Sequence, residues 1–209
     1  PIVSIAGFAR LLRRDDLTPQ ERAEYLDIIE AESLRLAEMA TNVLNMTKVE
    51  NQAILTDVTR FNLSEQLRNC VLLLERKWSQ KALELNIDMG EVFLDGNEEL
   101  LRQVWVNLLD NAVKFAPVGA RLDVAVRVEG ETVAVMIGNT GSTIPPDKQE
   151  RIFGKFYQAD ESHAAHGNGI GLAIVKSVTE LHGGSVGVQS GQDYTQFTVR
   201  LPARHPDSM

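Results

Sequence analysis

Three polar side chains share one face of a predicted helix near the middle of the chain. Asn107, Asn111 and Lys114 stand in the run NLLDNAVKF, at a spacing that places them along one stripe of a helix. An amide oxygen can ligate Mg²⁺, and an ammonium can pair with phosphate oxygens. The stripe therefore predicts contact with a metal-bound polyphosphate, although a solvated helix face can carry the same residue types.

A glycine-rich segment opens a second predicted helix. Gly167, Gly169 and Gly171 lie in GNGIGLAIVK, at the start of helix 170–182. Glycine lets a ligand approach the backbone closely, and a helix N-terminus offers unpaired N–H groups to phosphate. A dinucleotide-binding fold needs GxGxxG directly after a strand, whereas here a polar loop precedes the glycines and residue 172 is Leu. The pattern therefore disfavours a dehydrogenase.

Two further segments lie between these motifs. NTGSTIPP (139–146) follows an apolar strand, and a polar side chain followed by a close-approach glycine makes a plausible base-recognition site. An ordinary turn would contain the same residues. RIFGKFY (151–157) holds three aromatic residues within a polar loop, which either pin that loop to the body or form a small satellite cluster.

The hydrophobic pattern predicts two domains. Residues 1–52 read as a helical hairpin, in which Thr18, Pro19 and Glu21 form a strong helix start. Residues in the long second helix repeat at alternating steps of three and four, which is typical of a bundle seam, and they predict a dimeric four-helix bundle. The alternative to dimerisation is that this seam packs on the rest of the same chain. The seam comprises Leu26, Ile29, Ser33, Leu36, Ala40, Val43 and Thr47.

Residues 57–202 read as an α+β domain with a mixed sheet. We expect Ser64 to cap its first helix, the second and third strands to be joined at Gly90, and Glu129-Gly130 to form a hairpin turn. Residues 203–209 read as a disordered tail. The predicted strands are 58–63, 83–88, 92–95, 121–128, 132–137, 185–189 and 194–201, and the predicted helices are 64–80, 98–115 and 170–182.

Composition excludes several classes of protein. The chain has 209 residues and a net charge of −8, which argues against a general nucleic-acid or anionic-membrane binder. A single cysteine, Cys70, allows neither an internal disulfide nor a cysteine-based zinc cluster, and we expect it to be buried. No apolar run reaches the length of a membrane span, and no signal peptide is evident. A start at Pro1 without methionine suggests a piece of a longer protein.

The four segments, in this order, resemble the motifs of the ATP-binding domain of bacterial sensor histidine kinases, a domain shared with gyrase B, Hsp90 and MutL. NLLDNAVKF resembles the N box, NTGSTIP the first glycine box, RIFGKFY the F box and GNGIGLAIVK the second glycine box. The hairpin that begins PIVSI resembles the dimerisation and histidine-phosphotransfer domain of these kinases. Gyrase B, Hsp90 and MutL lack such a hairpin before the ATP-binding domain, so the resemblance is to the sensor histidine kinases.

The resemblance implies an α/β-sandwich domain that binds ATP and Mg²⁺. By this likeness Asn111 would ligate Mg²⁺, Asn107 would contact the phosphates or the metal shell, and Lys114 would pair with phosphate. Phe115 would lie beside the nucleotide, and Asn139 would read the adenine amino group. The remaining nucleotide contacts implied by the resemblance are Gly141, Ile144, Phe153, Phe156, Gly167, Gly169, Gly171, Leu172 and Thr195.

The resemblance also implies a reaction and its partners. The γ-phosphoryl group would pass to a histidine on the hairpin and then to an aspartate of a response-regulator receiver domain. Arg151 is the candidate for reaching the terminal phosphate, while Phe153 and Phe156 would anchor the lid. The protein would be a homodimer that binds no nucleic acid. It would be the cytoplasmic portion of a bacterial inner-membrane receptor, attached to the membrane through segments upstream of this chain.

The chain departs from the family pattern in two places. The first glycine box has Asn139-x-Gly141-x-Thr143 where the family has Asp-x-Gly-x-Gly; loss of charge assistance at Asn139 costs roughly 1 kcal/mol, and we expect ATP binding to survive. The family's phosphoaccepting histidine lies five residues before the proline matched by Pro1. We therefore expect this chain to bind ATP without phosphorylating itself.

None of the four histidines lies on the hairpin. His163 and His166 fall in the predicted lid, His182 at a helix end and His205 in the tail, and we expect all four to face solvent. Two other functions stay open. One is a degenerate, nucleotide-sensing dimeric scaffold. The other is an ATPase of the gyrase B or Hsp90 type, which would need a water-activating acid such as Glu98 or Glu99.

Overall fold

A computed structural model describes residues 1–51, 54–157 and 169–204. Helices α1 (Ile2–Leu11) and α2 (Pro19–Asn51) form the predicted hairpin. The second helix starts as expected, because the Thr18 hydroxyl accepts from the Glu21 N–H at 3.2 Å and the Glu21 carboxylate accepts from the Thr18 N–H at 2.8 Å. The hydrogen bonds that the Glu21 carboxylate accepts from the Thr18 N–H and the Thr18 hydroxyl hold the pKa of Glu21 below its usual value. Phe8 of α1 packs on Tyr25 of α2, with 5.3 Å between ring centroids.

The predicted seam of α2 is only partly covered by this chain. Ile29 and Leu36 are partly buried, whereas Leu26 is 53% and Val43 44% exposed. Within the described residues, α2 contacts α1 and a helix of the second domain, and these contacts leave part of the seam open. An apolar surface of this kind remains available to another protein chain.

The second domain is an α/β sandwich, which confirms the predicted fold class. Its five-stranded sheet has the order β2-β4-β5-β7-β6, with β2 parallel to β4 and the other neighbours antiparallel. The second sheet consists of β1 and β3. The elements are β1 (Thr59–Asn62), α3 (Leu63–Leu73), α4 (Glu75–Gln80), β2 (Glu84–Asp88), β3 (Phe93–Gly96), α5 (Glu98–Phe115), β4 (Arg121–Glu129), β5 (Thr132–Thr140), α6 (Gly171–Leu181), β6 (Ser185–Gly191) and β7 (Tyr194–Pro202).

The core lies between the five-stranded sheet and the helices α5 and α6. Strands β4 and β7 alternate buried and exposed residues, as expected for strands with one covered face. Trp105 of α5 is fully buried, and its indole N–H donates to Gln66 at 2.7 Å. Cys70 is buried as predicted, and burial raises the pKa of its thiol to about 11.

Two features at the start of the second domain correct the sequence analysis. Asn62 caps α3, by accepting from the Glu65 N–H at 3.0 Å, whereas Ser64 donates to the Gly90 carbonyl at 2.6 Å. The predicted helix 64–80 is two helices that divide at Leu74, where the Trp78 indole N–H donates to a carbonyl of the first helix.

One of the two predicted strand connections is wrong in detail. Gly90 lies between β2 and β3 as predicted, and the two strands belong to different sheets, because β3 pairs with β1 and β2 pairs with β4. The turn between β4 and β5 is Gly130-Glu131 rather than Glu129-Gly130, since Glu129 still pairs with Thr132. None of the helices described here combines the length and the apolar character that a membrane span requires.

Candidate functional site

Helix α5 positions the polar stripe. Asn97 caps it by accepting from the Leu100 N–H at 3.0 Å, and its apolar residues are buried in the core. The opposite helix face brings Asn107, Asn111 and Lys114 partly to the surface, as the spacing predicts. On the flank of this face, Asp110 pairs with Lys77 of α4 at 2.5 Å.

The stripe meets the start of α6. A β-carbon built on Gly171 would lie 3.1 Å from the side-chain oxygen of Asn107, so the two residues are in close contact. No side chain caps the first turn of α6, among the residues that the structure describes. The first N–H groups of a helix have no intrahelical partners, so the start of α6 can donate hydrogen bonds to an anion next to the stripe.

The glycine segment is close-packed on the loop before it. Gly169 has a φ of 64°, and a β-carbon there would lie 2.7 Å from the backbone of Phe156 and 2.8 Å from that of Tyr157. Only glycine combines this backbone angle with this contact. Leu172 is partly buried against the core. Gly167 lies outside the described residues.

Asn139 lies at the end of β5 with its amide orientation fixed. It is 3% exposed, and its Nδ2 donates to the Thr140 carbonyl at 3.0 Å and to the Ser142 hydroxyl at 2.8 Å. A carbonyl accepts only, so Nδ2 must be the atom that faces it. In the described part of the chain, the side-chain oxygen Oδ1 of Asn139 takes part in no hydrogen bond.

Thr195 is the cross-strand neighbour of Asn139, and its hydroxyl donates to the Ser142 carbonyl at 2.9 Å. The Ser190 hydroxyl lies 2.6 Å from that of Thr195 and accepts from the Ile144 N–H at 2.7 Å. Sequence reasoning missed both serines. Ser142 stands inside a recognised motif, but no pattern in the sequence marked Ser190.

Gly141 connects the end of β5 with the end of α5. It has a φ of 81°, its N–H donates to the Asp193 carbonyl at 2.8 Å, and a β-carbon there would lie 2.3 Å from Pro117. Pro117 follows α5 directly after Phe115 and Ala116. The helix with the polar stripe and the strand with Asn139 are therefore brought together at this contact.

The cation and the aromatic ring at the end of α5 contact each other. The Lys114 ammonium lies 4.7 Å from the centroid of the Phe115 ring. The Asn111 amide makes no hydrogen bond with any described residue, so its oxygen is available to a hard cation. The donor set of the stripe thus fits a magnesium-bound polyphosphate.

The aromatic loop is anchored by one of its two phenylalanines. Phe153 packs edge-on against Phe197 of β7, at 6.3 Å between centroids. Phe156, for which the resemblance implied the same role, is 67% exposed and has a φ of 59°. The Arg151 guanidinium lies 5.0 Å from the Tyr157 ring and thus against the loop itself.

The expectation that all histidines face solvent is wrong for His182. This residue is 4% exposed, its Nε2 accepts from the Asn97 N–H at 3.1 Å, and its Nδ1 lies 2.7 Å from the Val178 carbonyl. His182 thus connects the end of α6 to the start of α5. The predicted positions of His163, His166 and His205 lie outside the described residues.

Glu98 and Glu99 lie in the first turn of α5, at the end of the helix remote from Lys114. Glu99 pairs with Arg102 on the exposed side of this turn. Asn107 lies nine positions after Glu98, which corresponds to about 14 Å along a helix. This placement gives no support to a water-activating role next to the polar stripe.

Two family descriptions match the sequence. The family described as "Histidine kinase-, DNA gyrase B-, and HSP90-like ATPase" matches residues 96–205. The family described as "His Kinase A (phospho-acceptor) domain" matches residues 1–52. The two matches do not overlap, and the match over residues 96–205 includes all four recognised motifs.

Curated and solved relatives align with most of this chain. Over 182 residues the chain is 30% identical to the heme sensor protein HssS of Staphylococcus aureus (strain Newman), an alignment that covers 87% of this chain and 39% of HssS. Full-length ShkA, solved in complex with AMPPNP, has a TM-score of 0.75 and 27% identity over 97% of this chain and 43% of ShkA. Histidine kinase ThkA, solved with response regulator TrrA, shares the fold, with a TM-score of 0.80 and 23% identity over 97% of this chain and 57% of ThkA.

Proposed function

We propose, from the premise that this chain belongs to the sensor histidine kinases, that residues 57–202 bind Mg-ATP for transfer of the γ-phosphoryl group to a histidine. The transfer breaks the bond between the β–γ bridging oxygen and the γ-phosphorus, forms a bond from that phosphorus to an imidazole nitrogen, and releases ADP. The observation that carries this proposal is the contact between Asn107 and Gly171. It joins the polar stripe to the start of a helix, whose first N–H groups have no partners within the helix.

The phosphate end of the site consists of groups on α5 and α6. Asn111 would ligate Mg²⁺, Lys114 would neutralise phosphate charge, and the first turn of α6 would donate backbone hydrogen bonds. Bound Mg²⁺ would neutralise charge on the phosphate oxygens during transfer. Gly169 would let the loop approach the phosphates closely, and Arg151 would have to leave the Tyr157 ring to reach them.

The adenine end of the site is assigned to Asn139. Its two N–H donors are used by Thr140 and Ser142, so the carbonyl oxygen is left to accept a hydrogen bond from the adenine amino group. Thr195 fixes Ser142 from the neighbouring strand, which keeps the amide in this orientation. Phe115 and Ile144 would border the base.

The hairpin supplies the dimer and the site of transfer in this proposal. Residues 1–52 contain no histidine, so the acceptor would belong to a longer protein and this chain alone would not become phosphorylated. The receiver domain of a response regulator would then take the phosphoryl group onto an aspartate. A cytoplasmic position behind a membrane sensor is proposed from the resemblance alone.

The proposal is tested by calorimetric titration of the 209-residue chain with AMPPNP and Mg²⁺. Asn111→Ala should weaken binding about tenfold, since it removes a metal ligand while leaving the apolar face of α5 intact. Asn69→Ala, which removes an exposed amide from α3, is the matched control and should stay within about twofold of the original chain. No measurable binding by the original chain, or equal binding by the two variants, would contradict the proposal.

A nucleotide-sensing scaffold without transfer is the second candidate function. The observation in its favour is the departure at Asn139 and Thr143, which removes one carboxylate and one glycine from the first glycine box. The two functions are distinguished by an experiment on a longer protein that includes an acceptor histidine. Phosphohistidine formation from labelled ATP supports the kinase, whereas nucleotide binding without transfer supports the scaffold.

A further inference from the structure

The Lys81 ammonium donates all of its hydrogen bonds to the C-terminal end of α5. Lys81 lies between α4 and β2 and is partly buried. Its ammonium lies 2.8 Å from the carbonyl oxygen of Val113, 2.7 Å from that of Lys114 and 2.8 Å from that of Ala116. An ammonium has three N–H donors, so these three carbonyls use all of them.

The carbonyls of Val113 and Lys114 belong to the last turn of α5 and that of Ala116 to its C-cap residue, where intrahelical partners are missing. The positive ammonium therefore satisfies orphan acceptors and also complements the partial negative charge of the helix end. Desolvation by the surrounding protein lowers the pKa of Lys81, as expected for an ammonium held away from water. With all three donors used, Lys81 is not itself placed to bind phosphate.

The backbone around Lys81 holds the same turn from the other side. The Lys81 carbonyl accepts from the Gly119 N–H at 2.8 Å, and the Glu84 N–H donates to the Ala120 carbonyl at 2.9 Å. Pro117 lies between Ala116, whose carbonyl accepts from the Lys81 ammonium, and Gly119, and it is the residue against which Gly141 is packed. The segment 81–84 thus fixes the turn that joins the polar stripe to the end of β5.

We propose that Lys81 is a positioning residue for nucleotide binding, which holds the end of α5 so that Asn111, Lys114 and Phe115 face the ligand together with Gly141. The inference rests on the proposed function, because it assigns Lys81 to the same nucleotide. Without the ammonium, the last turn of α5 loses three hydrogen bonds and unwinds more readily. Lys114 and Phe115 stand within this turn and would lose their fixed positions.

The test compares three variants by titration with AMPPNP in Mg²⁺, at a temperature where circular dichroism shows each to be folded. Lys81→Met keeps the aliphatic stem and should weaken binding at least about fivefold. Lys77→Met removes the same charge from the neighbouring helix and breaks an exposed pair with α5, so it should change affinity by less than about twofold. Lys81→Arg keeps the charge and the donors and should recover most of the lost affinity.

The outcomes separate this inference from the proposed function. Failure of the original chain to bind AMPPNP would overturn the proposed function itself. Binding by the original chain together with equal affinities for Lys81→Met and Lys77→Met would overturn only the positioning role. If Lys81→Met does not fold, Lys81→Gln replaces it under the same threshold, and the comparison of Lys81→Gln with Lys81→Arg decides whether the charge is required.

Hydrogen exchange supplies a readout that a general loss of stability would not imitate. Amides in residues 113–120 should exchange faster in Lys81→Met than in Lys77→Met, while those in β5 and β7 should exchange at the same rate in both variants. Uniformly faster exchange across the domain would indicate a merely structural role and would contradict the inference.

Discussion

The adenine end of the proposed site depends on the orientation of one buried amide. Asn139 stands where the family has an aspartate, and an amide could present either its oxygen or its nitrogen to the ligand. The Thr140 carbonyl and the Ser142 hydroxyl fix the nitrogen on the protein side. The same acceptor atom therefore faces the site as in a carboxylate, although without its charge.

Gly141 gives a prediction at the scale of single residues. Gly141→Ala places a methyl group within 2.3 Å of the Pro117 ring, at a φ of 81° that side chains rarely adopt. We expect the free energy of unfolding to fall by about 2 kcal/mol. Binding of AMPPNP should weaken as well, because the end of β5 must shift away from Pro117.

The matched control for this prediction is Gly187→Ala in β6, where a β-carbon would meet no heavy atom within 4 Å. Its stability should stay within about 0.5 kcal/mol of the original chain. Urea unfolding measures both variants. Equal stabilities for Gly141→Ala and Gly187→Ala would show that the contact with Pro117 is not restrictive.

At the scale of elements, α5 is held at both of its ends. Asn97 caps its start and is itself bound by His182, and the Lys81 ammonium satisfies carbonyls at its end. Buried residues along one side fix its rotation about its own axis. The polar stripe is thus presented by a helix that has little freedom to turn or to fray.

The short helix α4 gives a prediction at this scale. Ala82, two residues beyond the last residue of this helix, has a φ of 49°, a conformation that is unfavourable for residues other than glycine and, to a lesser degree, Asn and Asp. Ala82→Gly should raise the free energy of unfolding by about 0.5–1 kcal/mol, after the greater entropy of glycine in the unfolded chain is subtracted. Urea unfolding followed by circular dichroism measures the change.

The same substitution at Ala125, inside strand β4, is the control with the opposite expected sign. Glycine weakens a strand interior, so Ala125→Gly should lower stability by about 0.5–1 kcal/mol. If Ala82→Gly destabilised the protein to the same extent, the left-handed conformation of Ala82 would not be a source of strain.

At the scale of the whole molecule, the exposed part of the α2 seam predicts self-association. Leu26 and Val43 stand on the predicted seam and are not covered by this chain. Sedimentation equilibrium should give twice the chain mass for the original protein. The double variant Leu26→Glu, Val43→Glu should sediment with the mass of a single chain, since buried unpaired carboxylates oppose association.

Leu72→Glu is the control for this experiment, because it places a carboxylate on an exposed apolar position of α3, outside the hairpin. This variant should remain dimeric. A monomeric original chain would contradict the predicted dimer, and so would a double variant that sediments with twice the chain mass.

Local patterns were sufficient to predict most of the elements and the order of the motifs. The start of α2 follows from Thr18 and Glu21 alone, because a capping box is formed within four consecutive residues. The common face of Asn107, Asn111 and Lys114 follows from helical periodicity, which needs no partner from elsewhere in the chain. The resemblance to sensor histidine kinases depended on such local runs and was confirmed.

Only the tertiary structure decided which distant groups meet. The sequence could not indicate that Ser64 would bind Gly90 instead of capping α3, that His182 would be buried against Asn97, or that Lys81 would reach three carbonyls of α5. Each of these contacts joins residues more than 25 positions apart. A short-range pattern fixes backbone geometry over a few residues, whereas a contact of this kind exists only after the packed core has brought the two segments together.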